Sequence, residues 1–132
     1  MNLRAILTLL ASTVTLRNCG NPSIDQATIT SMGFFPTNPT PNQDTELWVA
    51  YDLRSEITGG TATYSYNYNG IPFSPTSEDL CSQTSCPKAV GTYNETSKST
   101  FPSGISGKVV TKIQWTNQDS QPIWCVELTF KI

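Results

Sequence analysis

Four cysteines constrain this chain more than any other feature. They stand at Cys19, Cys81, Cys86 and Cys125. An even count at such spacings reads as two disulfides. Cys19 and Cys125 form a clasp that joins the first and last strands. Cys81 and Cys86 form a staple across one loop. By chain-entropy reasoning the long closure contributes about 5 kcal/mol and the short one about 2 kcal/mol. Structural zinc is the competing use of cysteine. A single Cys-x4-Cys spacing, two remote cysteines and no histidine do not make a usual zinc site. Disulfides persist in oxidising compartments, so the chain reads as secreted, with an endolysosomal or vacuolar lumen as the other destination.

A length of 132 residues suits one domain with a real core. The formal net charge is −2. No basic field is present to attract nucleic acid. The absence of histidine removes the commonest general base, metal ligand and pH switch. Residues 1–15 read as a secretory leader. Arg4 gives the positive start, Ala5 to Ala11 the apolar stretch, and Ser12, Thr13 and Thr15 a small-residue cleavage region. That stretch is far short of the roughly 20 apolar residues a membrane span needs. The mature domain would then occupy 16–132. Asn94-Glu95-Thr96 is a glycosylation sequon, which would place Asn94 in water.

The mature chain shows no sustained helical period. Strand-like runs alternate with turn clusters, as in an all-β sandwich. The first run is Ile24 to Met32. Phe35 to Pro41 is too rich in proline for a central strand. From Thr45 to Arg54, Leu47, Val49, Tyr51 and Leu53 share one face, and Trp48 points away. Ala62, Tyr64, Tyr66 and Tyr68 share a face of the next run. Ile71-Pro72-Phe73 is a short extended piece, and Tyr93 to Thr100 is a polar edge strand. Val109, Thr111, Ile113 and Trp115 alternate within Lys108 to Asn117. Asn117 to Gln121 turns the chain. The last strand puts Trp124, Val126, Leu128, Phe130 and Ile132 on one face. Cys125 has the opposite phase, so the clasp lies outside the core.

Several of these pieces, in this order, resemble the ML domain, a lipid-recognition family. They are Cys19-Gly20, Gly70-Ile71-Pro72-Phe73, Cys81 to Pro87, the strand Val109 to Gln114 closed by Trp115, and Ile123-Trp124-Cys125 followed by Glu127. The family includes the soluble sterol carrier of Niemann-Pick type C disease and fungal phosphatidylglycerol/phosphatidylinositol transfer proteins. Many members carry a further disulfide where this chain has Phe35-Pro36-Thr37-Asn38-Pro39-Thr40. The prolines are present and the cysteines are not, which implies a less constrained loop.

The resemblance implies an immunoglobulin-like sandwich of two antiparallel sheets with an apolar cavity between them. Phe73, Phe101 and Pro102 match residues at the ligand entrance, and Trp115 matches a residue lining the cavity. Leu47, Val49, Tyr64, Tyr66, Val109 and Ile113 complete the expected lipid-binding set. The loops holding Phe73 and Phe101 would gate entrance. The ligand would be a sterol or a phospholipid, carried between membranes or to a membrane receptor by a monomer. Burying about 500 Å² of lipid gives roughly 12 kcal/mol at 25 cal/mol per Å², before the losses of ordering. Such a carrier needs no cofactor, metal or catalytic group. The chain offers no nucleophile with a base beside it, so an enzyme is not expected. The rival expectation is an immunoglobulin-like recognition or adhesion module with a solid core. A lipid-sensing accessory to a receptor is a further rival.

Overall fold

The computed structural model describes residues 13–101, 103–104 and 106–131. Among them, nine strands and one helical turn follow in order: β1 (Thr13–Asn18), β2 (Ala27–Phe35), β3 (Asp44–Leu53), β4 (Gly60–Tyr68), β5 (Ile71–Pro72), β6 (Thr76–Asp79), α1 (Leu80–Gln83), β7 (Gly91–Thr100), β8 (Lys108–Asn117) and β9 (Pro122–Lys131). All pair antiparallel. One sheet runs β1-β9-β8-β4, with β5 and β6 sharing the outer edge of β4; the other runs β2-β3-β7. This is the antiparallel sandwich that the alternation implied, with the immunoglobulin-like arrangement that the resemblance implied.

β1 starts inside the segment that reads as a leader. Thr13, Val14 and Thr15 pair with Lys131, Phe130 and Thr129, so the folded domain includes them. The rest of that segment, residues 1–12, lies outside the described residues, as do Pro102 and Ile132.

β3 follows its pattern. Leu47, Val49, Tyr51 and Leu53 are all buried, and each such side chain contributes about 1.5–3 kcal/mol on leaving water. Trp48 faces outward and lies over Gly33, where any Cβ would sit 2.5 Å from the indole ring. β2 departs from its pattern. A bulge between Ile29 and Ser31 changes the strand's phase. Ala27 and Ile29 point inward before it, Met32 and Phe34 after it. β2 therefore runs on to Phe35, beyond the Met32 at which alternation ends.

Both disulfides form, Cys19–Cys125 with Cα atoms 5.0 Å apart and Cys81–Cys86 with 5.4 Å. Cys19 N–H also donates to the Cys125 carbonyl at 3.1 Å. Cys125 has the outward phase of β9 and stays outside the main core cluster, though it is covered from solvent. The proline-rich loop is held without a disulfide. Pro39 is fully buried, and Thr40 N–H donates to the Gln43 side chain at 2.9 Å.

The two sheets are not parallel plates. β2 packs against β1 and β9. On the opposite side no Cα of β4 lies within 8 Å of one in β7. The sandwich is closed along one side and gapes along the other.

Candidate functional site

The gape opens onto a cavity of about 360 Å³ between the sheets. β3 contributes Leu47, β8 Val109 and Ile113, and β9 Leu128 and Phe130. Phe34, on the bulged β2, and Phe101, just past β7, close the apolar end against Phe130. Their ring centroids lie 5.6 Å and 5.4 Å from that of Phe130, both edge-to-face. The remaining wall is hydroxylated. Tyr64 and Tyr66 of β4 line it on one side of the opening and Ser97 and Ser99 of β7 on the other, with Thr45, Thr100 and Thr111 also in the lining. Thr45 Oγ1 donates to the Ser99 carbonyl at 2.9 Å, tying this wall's hydroxyls to edge strand β7. The cavity thus has an apolar body and a polar flank, the arrangement that suits an amphipathic small molecule.

A second chamber, about 80 Å³, adjoins it. The two share Leu47, Tyr64, Ser97 and Ile113. The chamber adds Val49, Trp115 and Trp124 on the core side, and Gln83 and Glu95 on the open side. Trp115 and Trp124 stack with centroids 4.4 Å apart, and the Tyr51 ring centre lies 6.3 Å from each, edge-to-face with Trp115 and tilted against Trp124.

α1 and the Cys81–Cys86 staple cross the gape beside this chamber. Asp79 caps the turn, and Leu80 anchors it in the core. Tyr64 donates its phenol to Gln83 Oε1 at 3.1 Å. Burial, and then the nearby Glu78 and Tyr66, push the Tyr64 phenol above its ordinary value, which keeps it a donor. Glu95 Oε1 accepts from Tyr51 at 2.9 Å and from Thr84 at 2.9 Å, and pairs with Lys88 Nζ at 3.3 Å. Lys88 is almost fully buried and lies 4.0 Å from the Tyr93 ring centre. Desolvation, with the Glu95 hydrogen bond second, pushes the Tyr51 phenol far up, so it remains neutral. This network ties edge strand β7 to the stapled loop.

Of the residues the sequence singles out for a lipid site, Leu47, Tyr64, Tyr66, Phe101, Val109 and Ile113 line the larger cavity together. Val49 and Trp115 reach the smaller chamber only. Phe73 stands apart. It is 56 % exposed beside β4, held by its N–H on the Tyr66 carbonyl at 2.9 Å, and it does not line the cavity. Phe101 differs from a mobile gate. It is 2 % exposed, and its N–H and carbonyl are both bonded to the 42–43 turn at 2.8 and 2.9 Å. It is a wall, because a loop aromatic with its backbone fixed on both sides can turn inward and stay there. Pro102 lies outside the described residues. Phe34, Ser97 and Ser99 were not expected. Phe34 is hidden by the β2 bulge. Ser97 and Ser99 share the inward phase of Leu47 and Thr45, their register partners, a signal visible only once β7 is known to pair with β3. Asn94 is exposed on the outer face of β7.

A further groove of about 460 Å³ runs past Phe35, Asp44, Glu46 and Lys98. It is open and charged, so an apolar ligand would gain little by entering it.

Comparison with known proteins gives a consistent picture. The family model described as the ML domain matches residues 13–132. A Dictyostelium discoideum protein assigned by name to phosphatidylglycerol/phosphatidylinositol transfer is 27% identical over 119 residues, covering 87% of this chain and 78% of its own. Among solved structures, a Niemann-Pick type C2 protein from the Japanese carpenter ant superposes with a TM-score of 0.66 at 11% identity, over 87% of this chain and 96% of its own. Chicken MD-1, solved in complex with lipid IVa, gives 0.67 at 19% identity, over 91% of this chain and 89% of its own.

Proposed function

The chain belongs to the ML-domain family, and on that premise we propose that it binds one lipid between its sheets and carries it, without covalent chemistry. The observation that carries this reading is the cavity of about 360 Å³, apolar at one end and hydroxylated along the open side. A recognition module with a solid core would be packed at native density between its sheets, and the cavity counts against it. The ligand is a sterol or a phospholipid. The name of the Dictyostelium discoideum relative favours the phospholipid.

Delivery needs brief contact with a membrane or a membrane receptor. Ile71 is 60 % exposed and Phe73 56 %, on the edge of the sheet next to Tyr66 of the cavity wall. An exposed apolar pair in that position supports contact with lipid at the point where a ligand would leave. The protein works in an oxidising compartment, outside the cell or in an endolysosomal or vacuolar lumen. Two disulfides and an exposed sequon asparagine support that placement.

The test is organic extraction of natively purified protein followed by lipid mass spectrometry, with binding of fluorescent sterol and fluorescent phospholipid measured on the same sample. One co-purifying lipid class, near one per chain, is expected. Protein that is lipid-free and binds neither probe overturns the reading.

A further inference from the structure

The open groove beside the cavity carries charge that no neighbour in the protein answers. Phe35, Glu46 and Lys98 are register partners across β2, β3 and β7, so they form one row on the outer face of that sheet. Asp44 and Thr100 are partners two residues along, on the same face. All five line the groove of about 460 Å³. Opposite charges directly across two strands ordinarily pair. Glu46 and Lys98 do not: the ion pairs among the described residues are Arg17–Glu127 and Lys88–Glu95. The groove therefore holds one ammonium and two carboxylates without an ionic partner among the described residues. Beside them stands Phe35, an aromatic ring 72 % exposed.

The groove adjoins the lip of the cavity. The two share Thr45, Ser99 and Thr100. β7 is the free edge of its sheet. Ser97 and Ser99 turn toward the cavity, and Lys98 between them turns toward the groove. A ligand leaving the cavity over this lip crosses one strand to reach the Lys98 ammonium. One strand spacing further, about 4.8 Å, stands Glu46, with Phe35 beyond it. A phosphate joined to an ammonium by two carbons has that reach, through four bonds of about 1.5 Å each. Lysine is a point-charge partner for phosphate, and carboxylates beside an aromatic face suit an alkylammonium. An anionic polyol head leaves both carboxylates uncompensated, so charge favours the zwitterion.

We propose that this groove is the head-group site of the bound lipid and that it selects a zwitterionic phosphodiester. The phosphate meets Lys98, and the ammonium of a choline or ethanolamine head lies among Glu46, Asp44 and Phe35. The inference rests on the lipid-binding reading above and sharpens it. The acyl chain supplies affinity inside the cavity, and the groove supplies the preference among heads.

Myristoyl lysophosphatidylcholine, myristoyl lysophosphatidylglycerol and monomyristoylglycerol test it. Each competes against 1-anilinonaphthalene-8-sulfonate bound in the cavity, below micelle-forming concentrations. The three share one acyl chain and differ in the head. The choline lipid is expected to bind about tenfold tighter than the lysophosphatidylglycerol, the size of an exposed ion pair together with a cation–π contact. High salt should erase most of that preference, because exposed charges are screened. None of Asp44, Glu46 and Lys98 belongs to the core cluster, so substitutions there leave the fold intact. In the double variant Asp44→Asn, Glu46→Gln the preference should vanish. In Lys98→Gln both phospholipids should weaken several-fold relative to monomyristoylglycerol. Equal affinity for the two phospholipids, tighter binding of the lysophosphatidylglycerol, or a preference that survives the double variant overturns the head-group site and leaves the lipid cavity standing. Displacement of the dye by free phosphocholine would put the head inside the cavity and overturn the groove as well. Failure of all three acyl ligands to displace the dye overturns the lipid-binding reading, and the head-group site with it.

Discussion

Single residues hold the ends of this fold. Gly20 is one of them. A Cβ there would land on the Asp25 carboxylate, so the glycine after Cys19 is a packing requirement beside the disulfide. Asp25 itself is 5 % exposed. Its burial raises the carboxyl above the ordinary 3.8, against the smaller opposing pulls of a backbone hydrogen bond at Asn21 and the Arg54 charge. The folded protein thus holds that proton more tightly than the unfolded chain. The resulting stabilisation is full below the unfolded value and is lost as pH rises through the folded one. Asp25→Asn should flatten the dependence of stability on pH just above 3.8 and cost nothing at neutral pH. Urea midpoints measured across a pH series check this. A marked loss at neutral pH would mean that the pull of Arg54 outweighs burial.

Elements are fixed by what ties them. β1 is a short strand on the outer edge of its sheet, bonded to β9 and to the clasp at Cys19. The clasp closes a separation of 106 residues, for which the chain-entropy model gives about 5 kcal/mol. Replacing Cys19 and Cys125 by serine should lower stability by about 2–5 kcal/mol, read as the shift in denaturation midpoint. The stapled loop has a different part. α1 is too short to stand alone, and its order derives from Leu80, from the disulfide and from the bonds to Tyr64 and Glu95. Replacing Cys81 and Cys86 by serine should cost less, about 2 kcal/mol by the same model, and should speed ligand exchange, measured by stopped-flow displacement of a fluorescent lipid. An unchanged exchange rate would remove the loop from control of the open side.

At the scale of the whole molecule, the cavity is a stability cost. Empty apolar volume forfeits contacts that a packed core would make, about 24 cal/mol for each Å³ left unfilled. Thr111 lines the cavity on β8, between Val109 and Ile113. Thr111→Phe should fill part of it. The variant should hold its melting temperature or raise it, while lipid recovered by extraction falls sharply. A variant that keeps its full lipid load would show that the ligand sits elsewhere.

The sequence determined the parts that obey local periodicity. β3, β8 and β9 lie where alternation put them, with Leu47, Ile113 and Val126 inward, because a pleated strand orients side chains with period two whatever surrounds it. The cysteine spacing gave both disulfides for a similar reason, since near neighbours and strand ends are the pairs geometry can close. The tertiary structure decided the rest. Whether Phe34 faces the cavity depends on a bulge that adds one residue to β2 and reverses its phase. Whether Phe101 gates or walls the site depends on two backbone bonds to a turn almost sixty residues earlier. The separation of β4 from β7, which makes a cavity out of an ordinary core, depends on how two sheets meet along their opposite side. These are relations between distant segments, and no local run of residues encodes the distance between two sheets.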